Sequence, residues 1–206
     1  VGGLVGYVHT GNITDCYITG SVNGEYQVGG LVGYNYGTLT NCYVISSVNG
    51  FNEVGVSERI GGLVGYNSNH NLTGCYAAGS VNGDNCVGGL VGENSSGTLT
   101  RCYATGSVSG VGSIGGLVGY NSSGTLASCY STGWISGTSY VGGLVGKNSS
   151  GTATASFWGK QTSGRTSSAL GTGKTTAEMM TLGTFTGAGW DFTEGDGDGA
   201  EWMMLR

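Results

Sequence analysis

Proline is missing from this chain altogether, and charge is scarce: Asp, Glu, Lys and Arg together make up 9% of its 206 residues. A chain without proline can pair every backbone N–H, which suits strands bonded to neighbours on both sides. Only seven Lys and Arg are present, scattered along the chain, and the net charge is −5. The clustered positive charge that nucleic acid and anionic membrane surfaces require is therefore absent. No apolar run approaches the ~20 residues of a membrane-spanning helix. Val1-Gly2-Gly3-Leu4 carries no charged-then-apolar leader, so any secretion signal is expected to lie outside this stretch or to have been removed. Before residue 170 no segment has a helical apolar period. There is no CxxC pair, and only His9 and His70 could assist a metal site, so no metal or other cofactor is expected.

Glycine, by contrast, supplies 45 residues, against an average of roughly 7%, with no Gly-X-Y period of the collagen kind. Much of it belongs to a repeat. GGLVG recurs six times, with its leucine at Leu4, Leu31, Leu63, Leu90, Leu117 and Leu144, at spacings of 27, 32, 27, 27 and 27. Cys-Tyr follows in five copies and becomes Ser156-Phe157 in the sixth. A Gly-Thr-Leu-like turn lies between the two blocks, as at Gly97-Thr98-Leu99, and each full copy closes on Ser-Val-Asn-Gly or a relative. One unit reads as three short β-prone runs separated by Gly, Asn and Ser corners. A propeller blade needs ~40 or more residues, so a 27-residue unit fits one coil of a parallel β-helix. The fold class is all-β, with residues 1–156 forming about six coils stacked ~4.8 Å apart. Residues 157–206 leave the repeat and are expected to cap it, with Trp158, Trp190, Phe192 and Trp202 supplying bulk. The second copy carries six extra residues before Leu63, expected to leave the coil as a loop.

Stacking converts repeat positions into columns. Cys16, Cys42, Cys75, Cys102 and Cys129 share a parity with small apolar residues and should point inward. Coil spacing falls inside the Cα range of a disulfide. Buried free thiols acting as small hydrophobes and a vertical disulfide therefore both stand. Tyr17, Tyr43, Tyr76, Tyr103, Tyr130 and Phe157 take the outward parity. They either stack on one another to stiffen the rod or form an aromatic platform for sugars. A second tyrosine set, Tyr7, Tyr34, Tyr66 and Tyr120, is interrupted by Glu93 and Lys147. Asn35, Asn67, Asn94, Asn121 and Asn148 recur at the first corner, where Asn suits the turn and stacked amides can form a ladder. In GGLVG both parities are apolar, which leaves open whether the leucine faces in or forms an exposed stripe.

The succession GGLVG, Gly-Thr-Leu, Cys-Tyr, Ser-Val-x-Gly resembles the GLUG motif, a repeat of large bacterial surface adhesins and of some IgA-specific metallopeptidases. Gly173 to Met179 and Gly189-Trp190-Asp191-Phe192 are similar to the segment that often follows such repeats. The resemblance implies a secreted or surface-anchored β-helix, and no HExxH accompanies it. It supplies no catalytic residue.

Two other motifs fall short. Gly173-Lys174-Thr175 resembles the end of a phosphate-binding loop, but Ser168 stands where the first glycine is required. Thr175 and Glu178 instead suit a helix-capping box. Glu194 to Gly199 resembles half a calcium loop whose twelfth position is Leu205. Acids in the repeats (Asp15, Glu25, Glu53, Glu58, Asp84, Glu93) occupy different columns and form no evident catalytic pair. The expectation is an extracellular structural or adhesive module (stalk, adhesin segment or filament subunit), not an enzyme. The alternative is a carbohydrate-binding or carbohydrate-active β-helix. A chain that opens inside a repeat also implies either a longer parent array or head-to-tail association of copies.

Overall fold

The computed structural model describes residues 1–51 and 58–192. The insertion at 52–57, with Glu53, and the terminal stretch 193–206, with Trp202 and the acidic Glu194–Gly199 run, lie outside the described residues. The chain winds into a parallel β-solenoid of about five turns. Each turn advances one repeat, so like residues pair with like: Val64 with Val91 with Val118, Leu72 with Leu99, and Tyr76 with Tyr103 with Tyr130.

A turn holds five strand segments in place of three runs. In one repeat they are Asn85–Gly88, Val91–Asn94, Thr98–Thr100, Tyr103–Ala104 and Val108–Ser109. Among the described residues such segments build four sheets, two of six strands, one of ten and one of five. The extra divisions arise where the sequence gives no Pro or Asn signal. GGLVG bends at Gly89-Leu90, between two strands. The Cys-Tyr run is continuous in Tyr17–Gly24 and Tyr43–Gly50 but breaks in two in the later turns, around Gly106 in the repeat above.

The bend at Gly89-Leu90 defeats a parity argument and settles the leucine question. Leu31, Leu63, Leu90, Leu117 and Leu144 are all fully buried, and so are the valines that follow them. No leucine stripe lies on the outside of these coils, although Leu4 in the first coil is 49% exposed. Each buried leucine stabilises the rod by about 1.5–3 kcal/mol.

The interior has two lobes. One holds the GGLVG leucines, the Leu39–Leu126 column and the cysteines. The other packs Val48, Val81, Val108 and Ile135 against Ile60, Val87 and Ile114. They are separated where the second glycine of GGLVG meets the alanine after Cys-Tyr. A Cβ on Gly89 would lie 2.1 Å from the Gly116 carbonyl oxygen and 2.9 Å from the Ala104 Cβ. The two walls touch there, and only glycine fits.

Beyond the last repeat the chain does two different things. Trp158 turns into the main lobe at its end, with Leu170 packed beside it. The Ser168 hydroxyl accepts hydrogen bonds from the Leu144 and Val145 amides at 3.0 and 2.9 Å. Thr172–Lys174 adds a final parallel strand to Phe157–Gly159. Residues 176–192 instead lie against the flank, where Met179, Phe185 and Trp190 cover Tyr130 and Phe157. Helix Thr176–Met179 starts with a complete Thr175–Glu178 capping box.

Candidate functional surface

Three ladders run the length of the stack. The first is amide. Asn35 donates to Asn67 at 2.8 Å, Asn67 to Asn94 at 2.9 Å, Asn94 to Asn121 at 3.0 Å and Asn121 to Asn148 at 3.1 Å. Each amide also donates to a carbonyl two or three residues ahead, as Asn94 does to Gly97 at 2.9 Å. Asn35, Asn67, Asn94 and Asn121 are fully buried, and their corner is sealed by these bonds.

The second ladder is thiol. All six cysteines are free; Cys42, Cys75, Cys102 and Cys129 are buried, and Cys16 is half-buried in the first coil. Each column thiol points at main-chain carbonyls. The Cys102 thiol donates to Thr100 in its own coil and to Leu72 in the coil before, both at 3.4 Å. Burial pushes the Cys102 thiol well above its ordinary pKa, which makes it inert. Ser156 continues the column with a hydroxyl donating to Thr154 at 2.9 Å. Off the column, half-buried Cys86 is pushed up to about 11 by burial and the neighbouring Glu93.

The third ladder is aromatic. From Tyr17 to Tyr130 the ring centroids are 5.1, 4.8, 4.8 and 4.9 Å apart, with interplanar angles of 7°, 1°, 4° and 4°. Tyr43, Tyr76 and Tyr103 therefore have both faces taken by neighbours, Tyr17 in the first coil is 59% exposed, and Phe185 and Trp190 close over Phe157. Burial raises the Tyr103 hydroxyl to about 12. A sugar platform needs open ring faces, and this column presents edges.

The other tyrosine set is built differently. Tyr7, Tyr34 and Tyr66 pair in register, but their rings are tilted by 43° and 41° at 5.3 and 4.6 Å. Tyr36 joins them, 5.0 Å from Tyr34, with its hydroxyl 3.0 Å from the Tyr34 hydroxyl. His70 meets Tyr36 edge-on, and His9 lies beside Tyr7. The Arg59 guanidinium sits 4.8 Å from the Tyr66 ring centre and is ion-paired with Glu93. Further along, Lys147 lies over Tyr120 and Tyr140. Sequence spacing detected Tyr7, Tyr34, Tyr66 and Tyr120 but missed Tyr36, His9 and His70, which fall outside the repeat consensus. The departure of His9 and Tyr36 from Ser, and of His70 from Gly, at that corner was the available signal.

Among the described residues no group of three or more His, Cys, Asp or Glu is placed to hold a metal ion. No helix among them is long and apolar enough to cross a membrane. The stacked ladders define a parallel β-solenoid built from one short repeat. The family model of the GLUG motif matches residues 1–23, 24–49, 57–82, 83–109 and 110–136, and the chain belongs to that family. Comparison with curated proteins and with solved structures finds no match.

Proposed function

We propose that this chain is a rigid, non-catalytic extracellular module: a stalk, adhesin segment or filament subunit. The observation that carries the reading is that repeat-invariant side chains are consumed by the rod itself. Asn amides, thiols and the flat tyrosine stack each bond along the axis, which resists extension and leaves no invariant group for chemistry. Among the acids, Glu93 is engaged by Arg59, and Glu58 is buried, accepting from the Asp84 amide at 2.6 Å. Buried thiols also suit an oxidising environment, because an oxidant cannot reach them.

Single-molecule pulling tests the mechanical reading. The expected trace is a series of steps of about 9 nm, one 27-residue coil each at ~3.4 Å per residue, with one longer step of about 11 nm for the 32-residue coil. Unfolding in one weak event, or release of reducing sugar from polysaccharides by the purified chain, would count against it, the latter in favour of a carbohydrate-active β-helix.

A further inference from the structure

In a repeat protein, a position that the fold requires is filled alike in every coil, and one that departs from the consensus has been released from that requirement. The first corner makes the comparison within one molecule. The residue after the corner position is His9, Tyr36, Ser68, Ser95, Ser122 and Ser149 in successive coils. From Tyr36 onward its amide donates back to the preceding coil in the same way: Tyr36 to Val8, Ser68 to Asn35, Ser95 to Asn67, Ser122 to Asn94. The backbone is thus indifferent to whether serine or an aromatic stands there. Yet in the first two coils that position carries His9 and Tyr36, set against the tilted rings of Tyr7 and Tyr34, and in the third coil His70, standing where later coils have glycine, meets Tyr36 edge-on.

We propose that the pad formed by Tyr7, Tyr34, Tyr36 and Tyr66 is a binding surface for a neutral polysaccharide chain lying along the solenoid axis. Tilted by about forty degrees, these rings overlap only in part and turn part of their faces outward, where the apolar face of a pyranose can lie across them, in contrast to the closed stack of the other column. From Tyr7 to Tyr66 the pad spans two coil spacings, ~10 Å, so it suits a polymer over a single sugar. Hydroxyl-bonding groups edge it: the Tyr34 and Tyr36 hydroxyls, His70, and Arg59 held by Glu93. That ion pair neutralises the strongest local cation, and the chain's net charge of −5 repels uronates and sialates. Tyrosines fixed on in-register strands also lose little conformational freedom on binding. The inference rests on the adhesive branch of the proposed function and names its ligand class.

The test is affinity electrophoresis of the whole chain in gels containing hydroxyethyl cellulose, glucomannan or glycol chitin, with polygalacturonate as the anionic counterpart. At least one neutral polymer should retard the wild type, and polygalacturonate should not. Tyr7→Ala with Tyr36→Ser should weaken that binding at least tenfold, while Tyr17→Ala with Tyr43→Ala should leave it within twofold. Serine at 36 is the residue that later coils carry, so this variant keeps the corner intact, and far-UV circular dichroism verifies each fold. No retardation by any neutral polymer, retardation by polygalacturonate alone, or equal losses from the two double variants would overturn the proposal. Adhesion of chain-coated beads to a protein-coated surface, without polysaccharide binding, would also overturn it while leaving the adhesive reading standing.

Discussion

The two tyrosine strips share an amino acid, a coil spacing and an outward orientation, yet they do opposite things with their rings. In the strip from Tyr17 to Tyr130 the planes agree to within 7° and every internal face is covered. In the strip from Tyr7 to Tyr66 the rings are tilted and share space with histidine, arginine and a fourth tyrosine. The first repeats in every coil; the second is broken by Glu93 and Lys147. The column that repeats in every coil is stacked into the scaffold, and the one that varies is the strip proposed above as a binding surface.

The largest expected effect tests whether invariance marks a structural role outside the aromatics as well. Asn94→Ala removes a buried amide between Asn67 and Asn121 and orphans groups on both. It should cost about 2–6 kcal/mol, at about 1–3 kcal/mol for each of two unsatisfied partners, read as a lower denaturation midpoint. Tyr103→Ala breaks two stacked pairs and should cost about 1–3 kcal/mol, lowering the melting temperature by several degrees. If it did nothing, the contrast between the strips would collapse.

Glu58 offers a test with a definite sign, at the end of the only insertion in the repeats. Burial raises its carboxyl above the ordinary value, so the folded state holds the proton more tightly than the unfolded state. Stability therefore falls as pH rises through the folded-state value and is regained below it. Glu58→Gln should melt higher than wild type at neutral pH, with the gap closing on acidification; a constant gap would mean that burial of charge is not the cause. The smallest effect is Tyr36→Ser, which should change stability by no more than about 0.5 kcal/mol. A large loss there would make the variable strip structural too.

Much of the architecture was legible because a repeat writes its own alignment. A constant 27-residue spacing implies that like residues stack, and the parity of Cys102, Ala104 and Val108 places all three inside, where they are buried. Two features were not legible. Parity assumes a straight strand, so the bend at Gly89-Leu90 hid that leucine and valine both face the core. The aromatic tail suggests a lid over the end; Trp158 and Leu170 pack there, whereas residues 176–192 pack against the flank on Tyr130 and Phe157. Aromatic bulk in the sequence states that something will be covered but not which surface.

By itself the sequence determined the class of fold, the period and the identity of each column, because those follow from composition and spacing alone. Only the tertiary structure decided how neighbouring rings are turned. Repeat spacing brings two tyrosines to within about 5 Å in either strip, but the angle between their planes depends on side-chain rotamers and on what lies alongside. Flat stacking in one strip, and tilting beside Tyr36, His70 and Arg59 in the other, are decided by what packs alongside each ring, from its own coil and from the next. That side-chain packing is what separates a scaffold column from a candidate binding surface.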